Sequence, residues 1–456
     1  MAIDPRIFRQ YDIRGVVDAD LTLEAAEAVG RGFAAVLAAR GIAGTVAVGR
    51  DNRPSGVKLR DALVGALTRA GLSVVDVGEV PTPALYWTLH NLDVVAGIQI
   101  TGSHNPPEFN GFKMCIGHGS LHSEGIQDLR VRSEAPAFVA PVPGTVRSEA
   151  ILDRYVADLI ARTGRLSRPL KVVVDAGNGV GALVAKPLFD GLGAQATYLF
   201  CDSDGTFPNH HPDPTVDENL EDLIHAVRAQ GADLGVAFDG DADRIGMVDA
   251  EGNIIRGDHI LILYARDVLA RTGQGQPIIF DVKCSQALSD AVSAAGGVPV
   301  MWKTGHSLIK DKMKETHAPI AGEMSGHMFF VEGFYGHDDA PYAAARALRI
   351  VADANRPVAA LLADVPKFVS TPELRVDVDE DRKFGIVADA VRHFKAKYDC
   401  IDVDGVRVLF GDGWGLIRAS NTQPILVCRY EARSAERLAV IRDEMETWLR
   451  AQGVTL

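Results

Sequence analysis

One pattern begins three times in this chain of 456 residues, and it limits the fold more than any other feature. An apolar strand ends in a polar loop and leads into a helical stretch at TVAVGRDNRPSG (45–56), KVVVDAGNGVGALV (171–184) and PIIFDVKCSQAL (277–288). A second strand follows each, within LSVVDVGEVPTPAL (72–85), AQATYLFCDSDGTFP (194–208) and GVPVMWKTGHSLI (297–309). A third strand then runs into an unusual polar loop at VVAGIQITGSHNP (94–106), ADLGVAFDGDADR (232–244) and APIAGEMSGH (318–327). Strands alternating with helical stretches imply βαβ units and a mostly parallel sheet. Any α/β chain shows hydrophobic strands at such intervals, but the matched order favours true repeats. Three related α/β domains with mixed, mostly parallel sheets are therefore expected over 1–150, 151–252 and 253–366. Loops at the carboxyl ends of such strands are where open α/β sheets bind ligands.

The remainder, 367–456, reads differently. Strand TPELRVDVD, helix RKFGIVADAVRHFKAKY, strand pair IDVDGVRVLFGDGWGLIRAS, strand PILVCRYEA and helix SAERLAVIRDEMETWLRAQ succeed one another. Asp404-Gly405 and Asp412-Gly413 are hairpin signals. An α+β domain with an antiparallel sheet is expected.

Composition excludes several classes. With 47 basic and 60 acidic residues the net charge is −13, and no basic stripe suggests a nucleic-acid partner. No apolar run reaches the roughly 18–20 residues of a membrane span. The opening segment MAIDPRIFRQYDIRG lacks an apolar core, so no signal peptide is expected. Cys115, Cys201, Cys284, Cys400 and Cys428 form no C-x-x-C pair and read as buried thiols in a reducing cytoplasm. A cytoplasmic monomer is expected.

The three polar loops carry the chemistry-bearing residues. In Thr101–Pro106 a strand must stop before Pro106, and Gly102 would permit a tight turn presenting Ser103. A serine hydroxyl needs a base or a metal to act as a nucleophile, and His104 and Lys113 are nearby basic groups. Alone, the segment also reads as an ordinary Ser/Asn-rich turn. Asp239, Asp241 and Asp243 stand at alternate positions after an apolar strand. Three such carboxylates suit one hard cation such as Mg²⁺ and would repel one another without it. The spacing is not that of an EF-hand, since Arg244 and Ala250 stand where that loop needs Gly and Glu. Glu323, Ser325 and His327 mix an acceptor, a hydroxyl and an imidazole, as sugar recognition requires; a structural Glu–His pair fits the same letters. Arg418, Ser420, Asn421 and Thr422 form a possible anion cradle, and Tyr11 to Gly15 adds Arg14.

Together YDIRG (11–15), TGSHNP (101–106), DGDADR (239–244), GEMSGH (322–327) and RASNTQP (418–424) resemble the α-D-phosphohexomutase superfamily, nearest its bacterial phosphomannomutase/phosphoglucomutase group. The resemblance spans nearly the whole chain and implies four domains around a central cleft. It implies a phosphoserine at Ser103 and Mg²⁺ held by Asp239, Asp241, Asp243 and that phosphoserine. It implies sugar hydroxyls at Glu323 and Ser325, and the unreacting phosphate at Arg418, Ser420, Asn421 and Thr422. Tyr11, Arg14, Lys113, Arg244, Lys283, His306 and His327 match cleft residues of the superfamily. The implied activity interconverts hexose 1- and 6-phosphates of glucose and mannose through a bound glucose or mannose 1,6-bisphosphate. Phosphoglucosamine mutase is an alternative within the superfamily. A haloacid-dehalogenase-type phosphatase is a more distant one: Asp239 and Asp241 suit its nucleophile and acid, and Gly336-His337-Asp338-Asp339 its distant acidic motif. It leaves Ser103 and the phosphate cradle unexplained.

Overall fold

The computed structural model describes residues 3–136, 139–421 and 423–456. The three repeats have one topology. In the first domain Thr45–Arg50 pairs in parallel with both Ser73–Glu79 and Ala96–Ile100, and the latter pairs antiparallel with Phe109–Ile116. In the second, Lys171–Asp175 lies parallel to Gln195–Leu199 and Leu234–Phe238, and the latter pairs antiparallel with Ile245–Asp249. In the third, Pro277–Asp281 lies parallel to Val298–Trp302 and Ile320–Gly322, and the latter pairs antiparallel with Met328–Phe330. Each sheet thus runs fourth–third–first–second in repeat order. Each polar loop singled out above joins the third strand to the antiparallel fourth.

Burial explains the letters. The strands Ala96–Ile100 and Leu234–Phe238 are buried at every residue, as expected of sheet interiors covered on both faces. Some helices begin at a side-chain cap: Thr22 accepts from the Ala25 N–H, and Asp339 from the Tyr342 N–H. The alanine-rich helix Ala340–Ala354 buries most of its residues in a core shared by the first three domains, where small side chains allow close packing. No helix among the described residues is long and apolar enough to cross a membrane.

The C-terminal region forms a wholly antiparallel sheet ordered Val369–Ser370, Ile425–Ala432, Gly413–Ala419, Val406–Leu409, Asp399–Ile401, with Leu374–Asp377 also on Ile425–Ala432. Helices Glu380–Lys395 and Ala435–Ala451 complete it. The expected strand pair is three strands joined by two hairpins. The first turn uses Gly405 at φ +79°, as expected; in the second the left-handed residue is Gly411 at φ +83°, while Gly413 opens the following strand. All five cysteines are free, but Cys201 and Cys400 are only partly buried.

This last domain has its own core, built around Phe394, Leu426, Tyr430 and Met445. Its seam with the third domain is largely polar. Arg407 is fully buried and donates to the carbonyls of Val282 and Cys284 at 2.8 and 2.7 Å. Its guanidinium lies 3.6 Å from the Trp414 ring centroid, which compensates a charge whose pKa burial pulls down to about 10. Arg407→Ala strands two buried carbonyls and leaves a void. It should weaken the seam by about 2–4 kcal/mol. Calorimetry should then show the C-terminal domain melting ahead of the rest; an unchanged single transition would contradict this account of the seam.

Candidate active site

The four domains enclose a cleft of about 950 Å³, lined among others by Tyr11, Arg14, Ser103, His104, Lys113, Arg244, Lys283, His306, Glu323, Ser325, His327, Arg418, Ser420 and Asn421. Asp239, Asp241 and Asp243 do not line it and lie buried against Ser103 and Lys113. Thr422 lies outside the described residues.

The serine loop is built differently from the expectation. Gly102 is not the left-handed residue; Ser103 itself is, at φ +49°. Gly102 is needed because a Cβ there would sit 2.2 Å from Cζ of Arg53. Arg53 is fully buried and clamps the loop. Its Nη2 donates to the carbonyls of Ser103 and Asn105 at 2.7 and 2.6 Å, and its Nη1 to those of Pro106 and, at 2.9 Å, Phe109. Asp51 holds Arg53 Nε at 3.0 Å and also accepts from the Thr101 hydroxyl and the Gly102 N–H. Both residues lie in the first loop of the first repeat, GRDNRPSG, and were not singled out from the sequence. The only signal was two charged residues directly after a buried strand.

Ser103 Oγ lies 3.1 Å from Asp239 Oδ2 and 3.2 Å from His104 Nδ1. Burial, then Arg244 and Arg14, push the His104 pKa well below the usual imidazole range, so the ring is neutral. Lys113 reaches Asp241 at 2.8 Å and contacts Asp243. Those two carboxylates outweigh its burial and raise its pKa.

Asp239, Asp241 and Asp243 are fully buried, with carboxylate oxygens mutually within 4.8 Å. Burial, then Asp243 and Asp241, push Asp239 well above the usual carboxylate range; Lys113 and His327 pull Asp243 down against its burial. Asp241 Oδ1 is buried without a partner. A set of hard oxygen donors, one of them unsatisfied, suits a divalent cation. These three carboxylates fit such an ion.

In the loop 322–327, Glu323 accepts from the Gly305 N–H at 2.6 Å and meets His327 Nδ1 at 2.9 Å, with Ser325 Oγ 3.1 Å from the same nitrogen. His327 Nε2 lies 3.2 Å from Asp243 and 3.4 Å from Arg244 Nε. Against burial, Asp243 and Glu323 raise the imidazole to about 9. At the opposite wall Arg418 Nε donates to Asp404 at 2.9 Å, and Asn421 donates to the Tyr11 hydroxyl at 2.9 Å, which itself donates to the Thr304 carbonyl. Lys283 pairs with Glu373 at 3.1 Å across the seam, and Arg14 with Asp12. The dehalogenase reading loses its distant motif here: Asp339 is a helix cap, and Asp338 is bound by Lys310.

The family description Phosphoglucomutase/phosphomannomutase matches in four parts: alpha/beta/alpha domains I, II and III at residues 5–131, 153–252 and 256–368, and the C-terminal domain at 373–447. The chain belongs to this family. It is 48% identical over 454 residues to a phosphomannomutase/phosphoglucomutase of Pseudomonas aeruginosa, covering 99% of this chain and 96% of that protein. It is 46% identical to a phosphoglucomutase of Neisseria gonorrhoeae, covering 96% of each. A crystal structure of a phosphoglucomutase/phosphomannomutase family protein from Burkholderia thailandensis superposes with a TM-score of 0.92 at 44% identity, covering 98% of each chain. The chain is thus a phosphohexomutase, an intramolecular phosphotransferase.

Two predictions follow from this geometry. Arg53→Lys keeps the charge but removes the fork that gathers four carbonyls. The loop should lose its register, and kcat should fall by about a hundredfold with KM little changed and the fold intact by circular dichroism. Full turnover in that variant would mean the clamp is dispensable. For Glu373, Lys283 pulls the carboxyl down to about 2. A depressed carboxylate contributes stability above its unfolded pKa and loses it on acidification. The stability gap between wild type and Glu373→Gln should therefore be constant above about pH 5 and shrink as pH falls towards 2. A gap that widens on acidification would refute the pairing.

Proposed function

We propose that this cleft carries a phosphoryl group between Ser103 and either end of a glucose or mannose phosphate. The observation that carries this is the Ser103 hydroxyl in the cleft, backed by three buried carboxylates suited to a cation, with the cationic Arg418 on the opposite wall. Asp239, Asp241 and Asp243 would hold Mg²⁺, joined by an oxygen of phosphorylated Ser103; when bound, the ion supplies positive charge to the transferring group.

Phosphorylated Ser103 faces the free hydroxyl of a sugar monophosphate. A bond forms from that hydroxyl oxygen to phosphorus as the bond to Ser103 Oγ breaks. The hydroxyl gives up its proton and Oγ takes one, so protons balance; neutral His104 is the titratable nitrogen nearest Oγ. Arg14, Lys113 and Arg244 set positive charge around the transfer. Glu323 and Ser325 orient the sugar hydroxyls, and Tyr11 and Lys283 line the same face. Arg418, Ser420, Asn421 and Thr422 hold the phosphate that does not react. The 1,6-bisphosphate then turns end for end, and the second transfer returns a phosphoryl group to Ser103. A ligand anchored at both ends cannot turn in a closed cleft, and the separately cored C-terminal domain is the part free to swing.

Glucose and mannose differ only at C2, and the groups assigned here grip the hydroxyls at C3 and C4. Both 1-phosphates should therefore be used, with kcat/KM values within roughly one to two powers of ten. Intact mass should show one phosphoryl group on Ser103 after treatment with hexose 1,6-bisphosphate, absent in Ser103→Ala, whose turnover should drop by several orders of magnitude. Near-normal turnover in that variant would rule out Ser103 as the carrier.

A further inference from the structure

His306 begins the helix His306–Thr316 and lines the cleft, its ring beside those of Tyr11 and His327. Behind it sits Asp338, fully buried, in the loop before the helix Ala340–Ala354. The reaction as described gives Asp338 no part. Its Oδ1 accepts from Lys310 at 2.9 Å, and Lys310 is itself held over the ring of Tyr86. Among the described residues its Oδ2 has no hydrogen-bond partner, and neither has Nδ1 of His306. These two buried atoms face one another at 3.6 Å. A gap of that length has no room for a bridging water, which needs a normal hydrogen-bond length on each side.

An imidazole nitrogen opposite a dry carboxylate is either bare, setting lone pair against lone pair, or it carries a proton and donates. Asp338 stays ionised, because the Lys310 ammonium outweighs its burial and holds it below the usual carboxylate range. The ring is uncharged in the neutral range: burial, then Lys310, with Lys113 and His327, bring its pKa to about 3 against the pull of Asp338. One proton is left to place, and only Nδ1 faces an acceptor. Nε2 makes no hydrogen bond to the described residues and is the nitrogen left for the cleft.

We propose that Asp338 is a positioning residue that locks His306 as the Nδ1–H tautomer, so that its bare Nε2 accepts a hydrogen bond from one sugar hydroxyl. This rests on the reading of the cleft as a sugar-phosphate site. The consequence is selective. Arg14, Lys113, Arg244, Lys283 and Arg418 all present donors, and each suits a phosphate oxygen. A bare nitrogen repels such oxygens and takes only a donor, so it marks where the ring, not a phosphate, must lie.

Asp338→Asn tests the lock with little change of shape. Lys310 retains the side-chain carbonyl, which turns the amide NH₂ towards His306. Nδ1 then becomes the acceptor, the proton moves to Nε2, and His306 becomes a donor. Fluorine cannot donate a hydrogen bond. The probes are glucose 1-phosphate and its 2-, 3- and 4-deoxyfluoro analogues, compared by kcat/KM in both proteins. At one position the fluoro penalty should be roughly tenfold or more larger in wild type than in Asp338→Asn, the scale of one hydrogen bond. Comparing the two proteins cancels the inductive effect of fluorine. Neutron diffraction of wild-type crystals exchanged into D₂O should place deuterium on Nδ1 of His306. Deuterium on Nε2 with Nδ1 bare, or equal fluoro penalties in both proteins at every position, would overturn the proposal. The neutron map needs neither turnover nor a folded variant, so it decides the tautomer independently. A wild type unable to turn over glucose 1-phosphate would overturn the sugar-phosphate reading instead.

Discussion

Buried carboxylates whose partners come from other domains are the constraint on which this structure rests. Asp239, Asp241 and Asp243 belong to the second domain. Asp239 meets the Ser103 hydroxyl of the first. Asp241 accepts from the Thr82 hydroxyl at 2.5 Å and from Lys113, both of the first. Asp243 meets Lys113 of the first domain and His327 of the third. Assembly takes three like charges out of water, at a cost of several kcal/mol per ion, and the partners brought by the first and third domains repay part of it. Assembly is also what brings the serine, the carboxylates and the imidazole together.

The C-terminal domain follows another rule. Its apolar residues are satisfied internally, and its attachments are hydrogen bonds, ion pairs and one small apolar contact around Val282, Trp414 and Leu416. Polar contacts of this kind exchange for water at modest net cost, whereas parting a shared apolar core does not. The core common to the first three domains resists opening; the seam at Arg407 and Lys283–Glu373 is the weaker attachment. On the proposed function, that division would put the stiffer part under the phosphoryl-transfer residues and the weaker seam under the distal phosphate cradle.

The fold was legible because its signals are local. Strand runs, glycines and the recurring order of loops identified three like domains and a fourth unlike one, and the polar loops gave Ser103, the three aspartates, Glu323, Ser325 and Arg418. What escaped is long-range satisfaction. Arg53 lies about 50 residues from the carbonyls it gathers, and nothing at 51–53 announces that service. Asp338 drew notice only as a fragment of a different motif, since its partners, Lys310 and His306, are on a separate helix. The reason for Gly102 was misplaced for the same cause: its close neighbour is a guanidinium distant in sequence.

One backbone device, used three times, accounts for how like domains came to hold unlike chemistry. In each repeat the loop after the third strand contains one residue in the left-handed region: Ser103 at φ +49°, Ala242 at φ +59° and Gly326 at φ +92°. The turn lets the chain reverse into the antiparallel fourth strand within a few residues, and it projects the flanking side chains over the sheet's edge towards the cleft. In the third loop a glycine adopts this conformation without strain. In the first two, residues with a Cβ do so at a cost of about 1–2 kcal/mol each. The backbone at Ala242 bridges the aspartates, with its N–H donating to the Asp239 carbonyl. At Ser103 glycine would relieve the strain and remove the hydroxyl. The strained serine is retained where relief would delete the atom on which the proposed chemistry depends.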